Sequence, residues 1–167
     1  MIDDLAAARL RRPRSTELDP DIAEHWDLWS TQIGRALLPR LEATVAKLPG
    51  VTSAMICTSD GFNLCALGVD EDQAARLSAM VSSLYSISSA ATSCLDLEGA
   101  GSGEGGEEPH QLSLHDGSHR TVVTAVPDLV VGRLLVWLSA TEASLGLMII
   151  EAKALAHDVH ALLGDDD

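Results

Sequence analysis

A helix end, a tight turn and a returning strand follow one another between residues 48 and 62, and this order constrains the fold more than any other stretch. Leu48-Pro49-Gly50-Val51 is typical of a helix that stops before a strand, because proline and glycine both end helices. An apolar run, Met55-Ile56-Cys57, is followed by an Asp-Gly turn at Asp60-Gly61. The stretch therefore predicts a β-hairpin with strands over 51–58 and 62–68.

The predicted hairpin is apolar or small on both faces, with Val51, Met55 and Cys57 on one and Ala54 and Ile56 on the other. A sheet with such strands is covered on both sides, as in a three-layer α/β arrangement. Three more strand-like runs follow, at 110–115, 119–126 and 133–139. A periodic apolar pattern then predicts a closing helix from about Leu145, which Gly164 stops.

The N-terminal part of the chain divides into a predicted flexible leader, 1–19, and a helical pattern. Apolar residues recur every three or four positions from Ile22 to Leu48, but Pro39 interrupts them. Because an interior proline breaks a helix, we predict two helices, 21–37 and 39–48, that meet at a kink. The first lies in an extra amphipathic segment, 20–38. It carries Trp26 and Trp29, for which packing onto the same chain is favoured over contact with a partner.

A long helix is predicted from Asp70 to about Leu95, and no charged residue occurs between Leu77 and Leu95. An uncharged helix is usually buried on more than one side. One side is expected to cover the sheet through residues that include Ala74, Leu77, Leu84 and Ile87. Small serines on the other side allow the same helix of a second copy to approach. The predicted dimer or partner interface comprises Leu77, Met80, Val81, Ser82, Ser83, Leu84, Tyr85, Ser86 and Ser89.

The net charge of −14 argues against binding to nucleic acid or to an anionic membrane. A short basic cluster, Arg9 to Arg14, lies in the leader, where a solvated tail is the favoured interpretation. Residues 98–109 predict a mobile Gly/Glu linker, and 165–167 form an acidic tail. No apolar run is long enough for membrane insertion, and no signal peptide is recognisable, so we expect a cytoplasmic protein.

Residues that could carry out catalysis do not come together in the sequence. Neither lysine follows a phosphate-binding glycine loop, and no serine stands in a Gly-x-Ser-x-Gly elbow. His110, His115 and His119 lack the fixed spacing of a metal site, and a polar hairpin tip is favoured. Three cysteines, Cys57, Cys65 and Cys94, stand among apolar neighbours and fit a reduced interior. We therefore expect no enzyme, no cofactor and no metal.

Three segments and the order of the elements resemble the Roadblock/dynein light chain family, in particular its bacterial MglB-like members. The segments are Leu48-Pro49-Gly50-Val51, the Thr58-Ser59-Asp60-Gly61 turn, and Ala143-Ser144-Leu145-Gly146-Leu147 at the start of the last helix. The resemblance extends over a predicted Roadblock-like domain, 39–164. The extra segment 20–38 and the 98–109 linker depart from the family pattern.

The resemblance implies an α+β, profilin-like fold, in which a five-stranded antiparallel sheet lies between one long helix and the terminal helices. It also implies a homodimer that binds and regulates a small Ras-like GTPase of the MglA type without supplying the nucleotide site. Trp26, Trp29, Arg76, Arg120 and Arg133 are candidate partner contacts, and none is marked as an arginine finger. Two alternatives stay open: a scaffold subunit without effect on nucleotide turnover, and a profilin-like ligand-sensing module.

Overall fold

Three helices and five strands form the described part of the computed structural model, which comprises residues 24–94, 110–126, 129 and 131–164. In chain order they are α1 (Trp26–Val45), β1 (Val51–Thr58), β2 (Asn63–Leu67), α2 (Glu71–Cys94), β3 (Gln111–Asp116), β4 (His119–Ala125), β5 (Leu134–Ala140) and α3 (Leu145–Leu163). The predicted leader, linker and acidic tail lie outside the described residues.

The five strands form one antiparallel sheet in the order β2-β1-β5-β4-β3. Its register is seen at Met55 of β1, which pairs with Ala66 of β2 on one side and with Trp137 of β5 on the other. Trp137 pairs in turn with Val123 of β4. The predicted five-stranded antiparallel sheet is confirmed, and β2 and β3 are its two edges.

Each face of the sheet is covered by a different set of helices, as predicted. On one face, apolar side chains of the sheet, including Ile56, Val136 and Leu138, pack against Leu37 of α1 and Leu155 of α3. The opposite face packs against α2 in a smaller cluster of Met55, Cys57, Val81, Tyr85, Val123, Ala125 and Leu135. Full burial of a side chain of this size stabilises the fold by about 1.5–3 kcal/mol.

A single helix, α1, runs through Pro39, so the prediction of two helices that meet at a kink is wrong. Leu37 and Leu41, both fully buried, lie on either side of the proline and hold the helix onto the sheet. Pro39 has no N–H group to donate to the backbone carbonyl group four residues earlier. Because Pro39 is exposed, water can reach that carbonyl group. The guanidinium of Arg40 also donates to the Ala36 carbonyl oxygen at 3.2 Å.

The first half of α1 lies against β2 and the β1–β2 turn. Gly34 meets the backbone of Leu64 so closely that a Cβ atom at this position would overlap the Leu64 carbonyl oxygen. About two turns before, the rings of Trp26 and Phe62 lie 6.1 Å apart at an interplanar angle of 58°. Trp26 therefore packs onto its own chain, as predicted.

Both α2 and α3 begin at side-chain caps. The Asp70 carboxylate accepts the Gln73 backbone N–H at 2.8 Å, and the Gln73 side-chain oxygen accepts the Asp70 N–H at 3.0 Å. This reciprocal pair is a capping box. At α3, the Ser144 hydroxyl oxygen accepts the Leu147 N–H. None of the helices in the described ranges is both long and apolar enough to cross a membrane.

Candidate interaction surface

The inner side of α2 is fixed to the sheet by apolar packing and by two serines. Val81 is fully buried and Tyr85 nearly so. Ser78 donates to the carbonyl oxygen of Gly61 at 2.8 Å, and the Ser82 hydroxyl donates to the carbonyl oxygen of Ser59. These contacts hold the β1–β2 turn against α2 and set the rotation of the helix about its axis.

The outer side of α2 is exposed and carries an unusual sequence for a helix surface. Its central residues are spaced alternately four and three apart, and all are exposed: Arg76, Met80, Ser83, Ile87, Ala90 and Cys94. Met80 is 61% exposed and Ile87 is 66% exposed. From Met80 onward these residues are apolar or small, and a 4-3 spacing of such residues is that of a helix–helix seam. We call this set the α2 stripe.

The structure divides the nine residues predicted for the interface between two sides of α2. Met80, Ser83 and Ser86 are exposed, whereas Val81 and Tyr85 belong to the core of the chain. The other four, Leu77, Ser82, Leu84 and Ser89, are half-buried at the flanks. Ile87, expected to face the sheet, instead lies on the exposed side, together with Ala90 and Cys94.

The sequence did not indicate which side of α2 faces the sheet, because serines and apolar residues alternate all around the helix. Ser78, expected on the outer side, is fully buried. The 4-3 spacing from Met80 to Cys94 was the available signal for the exposed members. It competed with an equally regular apolar pattern through Ala74, Val81 and Tyr85.

The residues predicted as partner contacts differ in their exposure and in their hydrogen bonds within the chain. Trp29 is 44% exposed and Arg76 is exposed, so both are available on the surface. Arg120 donates to the Ala143 carbonyl oxygen at 3.2 Å, and Arg133 donates to the Tyr85 hydroxyl at 3.1 Å. These two arginines therefore support the fold from half-buried positions.

The histidines of the β3–β4 hairpin do not converge. In the register, His115 pairs with Arg120 and His119 pairs with Asp116, while His110 lies at the other end of β3. Among the described residues, no three histidine, cysteine, aspartate or glutamate side chains are placed to hold a metal ion.

Two of the three cysteines are interior thiols. Burial, with a smaller contribution from the charge of Cys65, raises the pKa of Cys57 to about 12. Burial also raises the pKa of Cys65 to about 12, against the lowering effect of its hydrogen bond with the Ile56 backbone. Cys94 is exposed on the α2 stripe, so the predicted interior position is wrong for this cysteine.

Comparison with known proteins shows what this part of the chain resembles. Residues 40–101 match the family model of the Roadblock/LC7 domain. Over these residues the chain is similar to the Roadblock/LC7 domain. The match includes the last turns of α1, the β1–β2 hairpin and all of α2, which holds the stripe. The predicted extent of the Roadblock domain, 39–164, stays a prediction.

Solved structures share the Roadblock fold. A Roadblock/LC7 domain from Streptomyces avermitilis is 24% identical, with a TM-score of 0.59, and the match covers 74% of this chain and 94% of that one. A structure of MglB in a tetrameric arrangement has a TM-score of 0.60 at 17% identity, with 78% and 90% covered. The gliding protein MglB from Thermus thermophilus has a TM-score of 0.59 at 15% identity, with 80% and 90% covered. No curated protein sequence matches the chain significantly.

Proposed function

We propose that the chain is a homodimeric, non-enzymatic regulator or adaptor of a small Ras-like GTPase of the MglA type, acting in the cytoplasm. The GTPase supplies the nucleotide site and its chemistry. This chain supplies a binding surface centred on α2. The Roadblock/LC7 domain and the likeness in fold to MglB structures support the GTPase as the class of partner.

The α2 stripe is the observation that carries the proposal. From Met80 to Cys94 it presents exposed apolar and small residues without a charge, on a protein whose net charge is −14. Exposed apolar side chains in a continuous row mark protein–protein contact surfaces. Small residues at Ser83 and Ala90 leave room for a second helix to approach closely, so two copies of α2 fit together across a two-fold axis.

The β3 edge of the sheet provides a second contact for the same dimer. Ser113, Leu114 and His115 are exposed on this strand, whose neighbour in the sheet is β4 on one side. An edge strand with free backbone groups can pair with another strand. The two β3 strands of a dimer would then extend the sheet while the two α2 helices pack side by side.

The apolar packing between the sheet and α2 argues against the ligand-sensing alternative. A sensor of that kind needs a polar pocket between the sheet and the long helix. Here Met55, Val81, Tyr85 and Leu135 fill that space with apolar packing. The scaffold alternative differs from regulation in its effect on nucleotide turnover, and the experiment below separates the two.

Light scattering on the purified full-length chain tests the proposal, first alone and then with an MglA-type GTPase of the same organism loaded with GTP or GDP. We expect a dimer of about twice 17.6 kDa that gains mass with the GTP form. The GTP hydrolysis and nucleotide exchange rates of the GTPase should then change when the dimer is added. A dimer that binds without changing either rate is a scaffold. A monomer, or a dimer that ignores both nucleotide forms, contradicts the proposal.

A matched pair of variants locates the surface. The double substitution Ser83→Glu with Ser86→Glu places two negative charges on the exposed side of α2 and should abolish the dimer. Ala154→Glu with Ala161→Glu adds the same charge to exposed positions of α3 and should leave the dimer intact. Loss of the dimer in both variants, or in neither, would show that α2 is not the dimer surface.

A further inference from the structure

His110 joins the long helix to the beginning of β3. Its Nε2 atom lies 2.9 Å from the Ser88 hydroxyl oxygen, in a hydrogen bond between α2 and the residue before β3. Its imidazole also meets the ring of Tyr85 edge-on, with the ring centroids 5.4 Å apart. The carbonyl oxygen of His110 accepts the Ala125 N–H at 3.0 Å, which extends the β3–β4 ladder by one bond.

Tyr85 connects this contact to β5. Its ring is in the core against the sheet, and its hydroxyl accepts a hydrogen bond from Arg133 at 3.1 Å. Arg133 directly precedes β5, so residues from α2, β3 and β5 meet around one tyrosine. His110 therefore contacts two elements at once. Its side chain meets Ser88 and the Tyr85 ring on α2, and its backbone carbonyl oxygen bonds to Ala125 in the sheet.

The last turns of α2 bury little apolar surface against the rest of the chain. No described side chain between Ser86 and Cys94 is buried, and Ile87 points outward. The first half of the helix is different, because Ala74, Ser78 and Val81 are buried there. A helix end without a buried apolar face gains little from the hydrophobic effect, so a polar contact such as Ser88–His110 has a large influence on its position.

We infer that His110 is a positioning residue: it holds the C-terminal half of α2 against the beginning of β3, so that the α2 stripe and the β3 edge meet a second copy as one surface. The inference rests on the proposed dimer. Without His110, the hydrogen bond and the ring contact that join α2 to the beginning of β3 are lost. Dimerisation must then order both segments, and a smaller fraction of the free chain has the conformation that can dimerise.

Sedimentation equilibrium and hydrogen exchange on the full-length chain test the inference in the variants His110→Ala, Ser88→Ala and the double variant. We expect each single substitution to raise the dimer dissociation constant about tenfold. The double variant should be no weaker than the weaker single variant, because both substitutions remove the same contact. His110→Gln keeps a hydrogen-bonding group at this position and should lie between wild type and His110→Ala.

Hydrogen exchange gives a readout that a purely local role of His110 would not change. In His110→Ala, the amides of 86–94 and of 111–113 should lose protection together, while the first half of α2 keeps its protection. His157→Ala, at an exposed histidine of α3 outside the proposed interface, is the control for the lost imidazole. Thr92→Ala is the control for a lost hydroxyl, because Thr92 donates to the Ser88 carbonyl oxygen within α2.

The outcomes for the dimer and for His110 can be told apart. Unchanged dimer affinity and unchanged exchange in His110→Ala, or strictly additive losses in the double variant, overturn the inference. If wild type is a monomer at all concentrations, the proposed dimer is wrong, and the joint loss of protection at 86–94 and 111–113 still decides whether His110 couples the two elements.

Discussion

Gly34 lies directly against the backbone of Leu64, at the place where α1 crosses β2. A Cβ atom at residue 34 would overlap the Leu64 carbonyl oxygen, which belongs to a strand and cannot move aside as a flexible side chain would. The close contact positions the first half of α1, including Trp26, beside the β1–β2 turn. The helix therefore depends on a residue whose importance its apolar periodicity does not show.

Gly34→Ala should destabilise the fold by about 1–3 kcal/mol, since the added methyl group forces the helix and the strand apart. Gly146→Ala is the matched control, because a Cβ atom at this helical position meets nothing within 4 Å. The control should stabilise the fold by about 0.4–1 kcal/mol. Urea denaturation of the two variants measures both effects, and equal changes in the same direction would contradict the packing of α1 on β2.

Ile87→Asp should weaken the dimer about 100-fold or more, because the carboxylate would be buried without a partner at the proposed helix–helix seam. Folding of the single chain should be nearly unaffected, since Ile87 is 66% exposed. Ile150→Asp on α3, where the side chain is 63% exposed, is the control and should leave the dimer intact. Sedimentation velocity separates the outcomes, and a dimeric Ile87→Asp variant would remove the stripe from the interface.

Asp70→Ala should lower the free energy of unfolding by about 1 kcal/mol, because it removes the side-chain acceptor at the start of α2. Gln73→Ala removes the other half of the capping box and should cost less. Asp60→Ala changes an exposed carboxylate in the β1–β2 turn and serves as the control. Chemical denaturation measures the differences. An equal loss in Asp60→Ala would indicate a general effect of charge and not of the cap.

The buried thiols should make stability fall at high pH. The pKa of Cys57 and that of Cys65 are each raised from 9.0 to about 12 in the folded chain, so the unfolded chain loses these protons first. Their stabilising effect is complete below pH 9.0 and is lost as the pH rises toward about 12. The free energy of unfolding, measured at about pH 8 and about pH 10.5, should therefore decrease more in wild type than in Cys57→Ala with Cys65→Ala. Equal decreases would contradict the shifts.

Thiol labelling should distinguish the three cysteines under native conditions. Cys94 is exposed and should react with a maleimide or a disulfide reagent, whereas Cys57 and Cys65 should react only after unfolding. In the proposed dimer, Cys94 lies at the end of the α2 stripe, so its labelling rate should fall as protein concentration increases. A labelling rate that stays constant across the monomer–dimer transition would place Cys94 outside the interface.

The sequence predicted the elements well where turns and apolar runs gave independent signals. The Asp60-Gly61 turn and the apolar run before it located the first hairpin, and the spacing of Leu145, Met148 and Leu155 located α3. Local rules failed at Pro39, where burial of Leu37 and Leu41 outweighs the cost of an interior proline. They failed again in the rotation of α2, because a helix without charges has no polar side to mark what faces water.

The contact between His110 and Ser88 could not have been predicted from the sequence. The two residues are 22 positions apart, and the intervening stretch includes the Gly/Glu-rich segment 98–109. Only the sheet order, which puts β3 at an edge next to β4, brings the beginning of β3 close to the end of α2. A polar pair of this kind depends on tertiary geometry and leaves no periodic trace.

The packing of α1 on β2 makes the two edges of the sheet unequal. A strand that approaches β2 would meet the helix backbone at Gly34 and the Trp26–Phe62 pair, whereas within the described ranges no element lies beyond β3, and Ser113 to Asp116 are exposed there. In the proposed dimer, a second copy would therefore extend the sheet at the β3 edge only. Two joined β3 edges would leave neither copy with a further open edge, so we expect growth of the sheet to stop at two chains and not to continue into a fibre.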